Sequence, residues 1–301
     1  MTVNGPLTAE PPSLKFDVAP MAAAARTVVT NRGPLMNYVA MVRAIPMGEQ
    51  PIVIDGREAS RYDVLSKKSD LRNALWGAKH RADDLEGYMS TLHNWAAGAA
   101  VHQVAQIVPP LEAIRKILDA VPTGGQVSAA DLPRIREQMQ NATVQVWLVR
   151  MAMTQISGGI HNFLTHFGSD HDTFARGPFE LSRIKQEVGK QISDDAMPLV
   201  LNPVMSGIGN AMLQVGRVFL DSIDKLSQVL GNALTGHEAM DGAASALATA
   251  ASNAWTKYDA AAAAVYASDN ATMSVTLRKI ELATAIESWN QFATFFSESN
   301  L

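Results

Sequence analysis

The side chains best suited to chemistry are His161, His166 and His171, which recur every five residues. A bound metal needs converging imidazoles. Five residues on a helix advance about 500°, so successive rings point about 140° apart and cannot share an ion. His93 and His102, nine residues apart, fall on opposite sides of a helix by the same geometry. The carboxylates of Asp83-Asp84 and Asp194-Asp195 splay by about 100°, and neither pair has the Glu-x-x-His companion of di-iron bundles. Gly124-Gly125 and Gly158-Gly159 lack the Lys and Ser/Thr of a phosphate loop, so the first reads as a turn and the second as a bend or close-packing point. No Ser, Cys or Lys stands in a nucleophile motif. These patterns point away from an enzyme and imply neither a metal nor another cofactor.

The chemistry therefore has to be sought in surfaces. The 301 residues carry 25 basic and 29 acidic side chains, a formal charge of −4, which leaves no basic field for nucleic acid. Charged residues make up only 18% of the chain and apolar ones 47%, so some faces that are normally solvated must be covered or uncharged. With no cysteine, the chain is indifferent to redox compartment. The amino terminus lacks a basic region followed by an apolar core, so an exported form would need a route other than a conventional signal peptide. No run of 18 or more uniformly apolar residues is present, and the resting protein is expected to be soluble.

The elements that must position any such surface are helical. Met1–Pro20, with four prolines, reads as a flexible arm. Residues 21–301 are expected to form a single domain. Two short helices are expected over 21–30 and 34–44, then a strand or extended connector at Ile52–Ile54 before Asp55-Gly56. Leu71, Leu75, Ala78, Ala82, Leu85, Met89, Leu92, Ala96 and Ala99 keep a heptad seam that continues, after a phase shift, to Val121, predicting one long helix kinked near Pro109. Eleven seam positions from Leu132 to Phe167 are all apolar and predict a helix ending at Gly168. A third seam runs from Phe179 toward Gly236, and a fourth from Asp241 to the end, with Asp269-Asn270 as a turn that splits it. The expected fold is all-α, an elongated bundle of about five long antiparallel helices with coiled-coil-like packing.

Ala196–Gly216 departs from this regularity. These 21 residues hold no charged side chain and lie between Asp194-Asp195 and Arg217. As one helix they would span about 31 Å, close to a bilayer's hydrocarbon core. Asn202, Ser206, Asn210 and Gln214 would draw a narrow polar stripe, with Leu199, Val200, Leu201, Val204, Met205, Ile208, Met212 and Leu213 as the apolar residues able to enter a membrane. Pro198, Pro203, Gly207, Gly209 and Gly216 lower helix propensity and are candidate hinges. A second charge-free run, Gly87–Leu111, reads as a buried central helix.

Long heptad helices, the charge-free Gly/Pro-containing segment and the terminal Ile286-Glu-Ser-Trp289-Asn-Gln-Phe292 motif together resemble the alpha-helical pore-forming toxins. The group is that of cytolysin A, alpha-xenorhabdolysin and the haemolysin BL components. The resemblance implies a secreted soluble form that releases a stored segment, inserts it and oligomerises on a target cell membrane. Its partners would be further copies of itself or a second helical toxin subunit, as part of a multi-component toxin. The other expectation is a non-lytic helical scaffold, of a secretion apparatus or phage tail, which explains the heptads and leaves the neutral stripe unexplained.

Overall fold

The computed structural model describes residues 12–94 and 100–298. The described chain is helical apart from one β-hairpin, with the order α1 (Val18–Ala44), β1 (Gln50–Ile54), β2 (Arg57–Tyr62), α2 (Ser69–Asn94), α3 (Ala100–Asp119), α4 (Leu132–Ala175), α5 (Leu181–Val200), α6 (Ser206–Ala267), α7 (Met273–Lys279) and α8 (Leu282–Glu298).

The seams carry the packing. Every seam residue from Ile135 to Phe167 is buried, as are Leu71, Leu75, Ala78, Ala82, Leu85 and Met89. Leu92, Ala96 and Ala99 lie outside the residues whose side chains are described, as does much of the Gly87–Leu111 run. Helix ends differ from expectation in three places. α1 is one helix through Pro34, not two. α4 passes Gly168 because Asp170 and Phe174 still have buried places beyond it. α6 passes Gly236, where Asn31 of α1 approaches closely and His237 Nε2–H donates to the Leu164 carbonyl at 2.8 Å.

The contacts divide the chain into two units. The first holds residues up to Val29, Ser90–Gly158 and Gly242–Leu301. Its core gathers on Trp289, which is fully buried and donates its indole Nε1–H to Tyr258 Oη at 2.8 Å. Phe16 and Phe292 lie against the same indole, with ring centroids 4.6 and 5.5 Å away. Leu14 is buried too, and its N–H donates to the Ile280 carbonyl at 3.0 Å. α3 packs along α8. The expected turn at Asp269 is present, its carboxylate accepting from the Ala271 and Thr272 N–H groups.

The second unit holds Thr30–Met89 and Gly159–Asp241. Here Asp170 of α4 is buried and accepts from Arg81 of α2 and, at 3.2 Å, from the Tyr38 hydroxyl of α1. One carboxylate thus ties three helices. Burial pushes the Asp170 carboxyl above its usual range, even with the Arg81 guanidinium beside it. Gly159 of α4 is held against Tyr88 of α2, whose ring occupies the space a Cβ would need.

Candidate membrane-contacting tip

The charge-free segment is not one helix. α5 ends at Val200, α6 begins at Ser206, and residues 201–205 turn the chain back on itself. The Asn202-Pro203 pair accounts for the break. Proline has no N–H to donate and restricts the residue before it, while Asn202 Oδ1 accepts the Val204 N–H at 2.9 Å and the Asn202 carbonyl accepts the Met205 N–H at 3.1 Å. From Ser206 to Gly216 α6 rises about 15 Å, well short of the ~30 Å hydrocarbon core. No helix among the described residues is long and apolar enough to cross a membrane.

The two helices of this hairpin meet on buried glycines. A Cβ at Gly209 would lie 2.6 Å from the Val200 backbone nitrogen, and one at Gly216 would lie 2.5 Å from Ile192 Cγ2. Both positions, expected as hinges, are points of close approach. Spaced by seven, they fall on the face that α6 turns toward α5, whose buried stripe is Leu181, Ile184, Val188, Ile192 and Ala196. Farther from the turn Lys185 Nζ pairs with Asp224 at 2.6 Å.

The β-hairpin lies against this tip. Asp55 and Gly56 both adopt positive φ, as a tight two-residue turn requires, and Ile54 Cδ1 comes 3.4 Å from the Cβ position of Gly207. Tyr62 donates its hydroxyl to Asp195 at 3.2 Å, and Lys67 Nζ reaches the other oxygen at 2.8 Å. Burial, with Asp195 adding to it, holds the Tyr62 phenol above its ordinary range. No element is expected over β2 from the sequence; Arg57–Arg61 has no apolar alternation and is exposed in the structure.

The sequence-expected residues sort by depth. Leu201 is 76% exposed and Val204 89%, and Asn202, Pro203 and Pro198 are exposed beside them. Met197 on α5 and Val53 on β1 add further exposed apolar surface. Leu199, Val200, Met205, Ile208 and Leu213 are half-buried, and Met212 is buried. Of the expected stripe, Asn210 and Gln214 are exposed and Ser206 half-buried, while Asn202 belongs to the turn.

The histidines singled out by their spacing lie apart among the described residues. His161 pairs with Asp241 at 2.8 Å on the surface, His166 is exposed, and His171 lies near Asp172. Among the described residues no group of three potential ligands converges on a metal site.

The chain is similar in structure to known toxin components. These include soluble AhlB of the tripartite alpha-pore forming toxin AHL from Aeromonas hydrophila (13% identity, 95% of this chain and 94% of that one, TM-score 0.48). The HblL1 toxin component of Bacillus cereus matches at 11% identity over 96% and 98% of the two chains, with a TM-score of 0.46. XaxA from Xenorhabdus nematophila matches at 13% identity over 88% and 94%, with a TM-score of 0.39. No family model and no curated protein matches the sequence. Likeness at these levels leaves function to be argued from the chain's own residues.

Proposed function

We propose that this protein is a non-enzymatic component of a secreted pore-forming toxin, and that the α5–α6 turn is the part that first meets the target membrane. The observation that carries the reading is the tip itself. Leu201 and Val204 stand almost fully in solvent, and Ala196–Gly216 around them holds no charge. Burying each of the two in an apolar medium is worth roughly 1.5–3 kcal/mol, which gives the tip a reason to leave water.

The charge-free part of the hairpin is too short to span a bilayer, so a pore requires rearrangement. Asp195 would have to leave Tyr62 and Lys67, and the tip would have to part from Ile54. Further apolar residues, Leu199, Val200, Met205, Ile208, Met212 and Leu213, would then follow the turn inward. Asn202, Ser206, Asn210 and Gln214 would face a lumen, with Pro198, Pro203 and Gly207 easing the change. Copies of this chain, or a second helical subunit, would supply the neighbours that replace the lost contacts.

Dye release from liposomes, with the protein alone and with a second helical component, tests this. The pair Leu201→Arg and Val204→Arg is expected to lower release at least tenfold, because Arg costs about 2.5–3.5 kcal/mol at bilayer depth. Folding stability should stay within about 0.5 kcal/mol, since both sites are exposed. Undiminished release by the double variant overturns the assignment of the tip. No release from wild type under any of these conditions overturns the pore reading.

A further inference from the structure

A cavity of about 540 Å³ opens on α2 of the second unit, lined by Met47, Gly48, Arg72, Asn73, Trp76 and Lys79. Its volume is that of a small-molecule site. Trp76 is 58% exposed, a costly way to hold an indole that lies off the α2 seam. His80, one turn on, meets the ring edge to face at 4.2 Å, a contact that favours one orientation of the indole. Two cations border the indole. Arg72 gives one Nη to Asp63, and its buried Nε has no protein acceptor. Lys79 is half-buried and pairs with no carboxylate among the described residues.

We propose that this pocket binds the phosphocholine group, with the trimethylammonium over the Trp76 indole and the phosphate at Lys79. Tryptophan is the best aromatic partner for a quaternary ammonium. The Met47 thioether and Gly48 leave soft, uncrowded surface for the methyl groups, and the Asn73 amide is a donor for a phosphate oxygen. A zwitterion also suits the whole molecule. With a net charge of −4 the protein gains nothing from an anionic surface, whereas a local pairing of aromatic and cation needs no long-range field. The proposal deepens the membrane reading by naming a headgroup, and it is testable without a membrane.

Soluble phosphocholine is titrated against the full chain by calorimetry, with indole NMR to identify the ring that responds. Saturable binding is expected to shift the Trp76 indole, to weaken at least tenfold in Trp76→Ala and several-fold in Lys79→Gln, and to persist in part in Trp76→Phe. Choline alone and inorganic phosphate alone should each bind at least tenfold more weakly. Equal binding by Trp76→Ala, or phosphate binding as tightly as phosphocholine, overturns the proposal. Phosphatidylcholine and phosphatidylglycerol vesicles form the second arm, which reads dye release. Phosphocholine binding to Trp76 without release from either vesicle supports the site and counts against the pore reading. Equal release from both, with no binding of soluble phosphocholine, does the reverse.

Discussion

The α5–α6 turn and the Trp289 cluster are both built on large apolar side chains, and they put them to opposite use. Around Trp289, Phe16, Tyr258 and Phe292 close over the indole and its one polar hydrogen finds an acceptor. At the turn, Leu201 and Val204 touch almost nothing. In one region apolar surface has already contributed its free energy to folding. In the other that free energy is still available, and an apolar phase can collect it.

Substitution should expose this difference. Trp289→Ala is expected to cost about 3–5 kcal/mol in chemical denaturation, since it removes a fully buried aromatic and leaves a cavity. Leu201→Ala at the tip should change stability by less than about 0.5 kcal/mol. Equal costs would break the comparison. Gly209→Ala comes next, at roughly 1–3 kcal/mol, because the new Cβ meets the Val200 backbone and the hairpin must spread. A neutral result would show that α5 and α6 are not tightly held. Tyr258→Phe strands the Trp289 N–H in the core, which should lower the unfolding free energy by about 1–3 kcal/mol.

The smallest effect sharpens the comparison from within the second unit and depends on pH. Burial raises the folded-state pKa of Asp170 above its ordinary value of 3.8, so between those two values the folded chain binds more protons than the unfolded one. The contribution of Asp170 to stability therefore falls as pH rises through that window. Relative to Asp170→Asn, the wild type should lose denaturation midpoint as pH increases from about 4. A gain over the same range would mean that pairing with Arg81 outweighs burial.

Much of the fold is legible in the chain because a buried seam repeats. The seam from Leu132 to Phe167 advertises its own helix, and the structure buries every member but the first, Leu132, which is half-buried. Glycines were poorer guides to helix ends. Gly168 and Gly236 lie mid-helix, because packing on both sides outweighs about 1 kcal/mol of propensity. The turn at the tip did carry a local signal, the Asn202-Pro203 pair, but the even spacing of Asn202, Ser206, Asn210 and Gln214 imitates a helix face and conceals it. Trp76 stands one position beyond Leu75 of its seam, so periodicity gives it no role. The β-hairpin was half-visible: Ile52–Ile54 before Asp55-Gly56 reads as a strand or extended connector, while β2 buries only Tyr62 and has no alternation of large apolar residues to announce it.

The glycine contacts between α5 and α6 also bear on how fast this region forms. They join residues that the turn has already brought together, and each pair outward from Leu201–Met205 is farther apart in sequence than the last, reaching a separation of 39 at Lys185 and Asp224. Such a hairpin closes from its bend outward, without waiting for distant chain, and low contact order of this kind goes with rapid folding. Detached from β1 and β2, it would zip again on its own timescale.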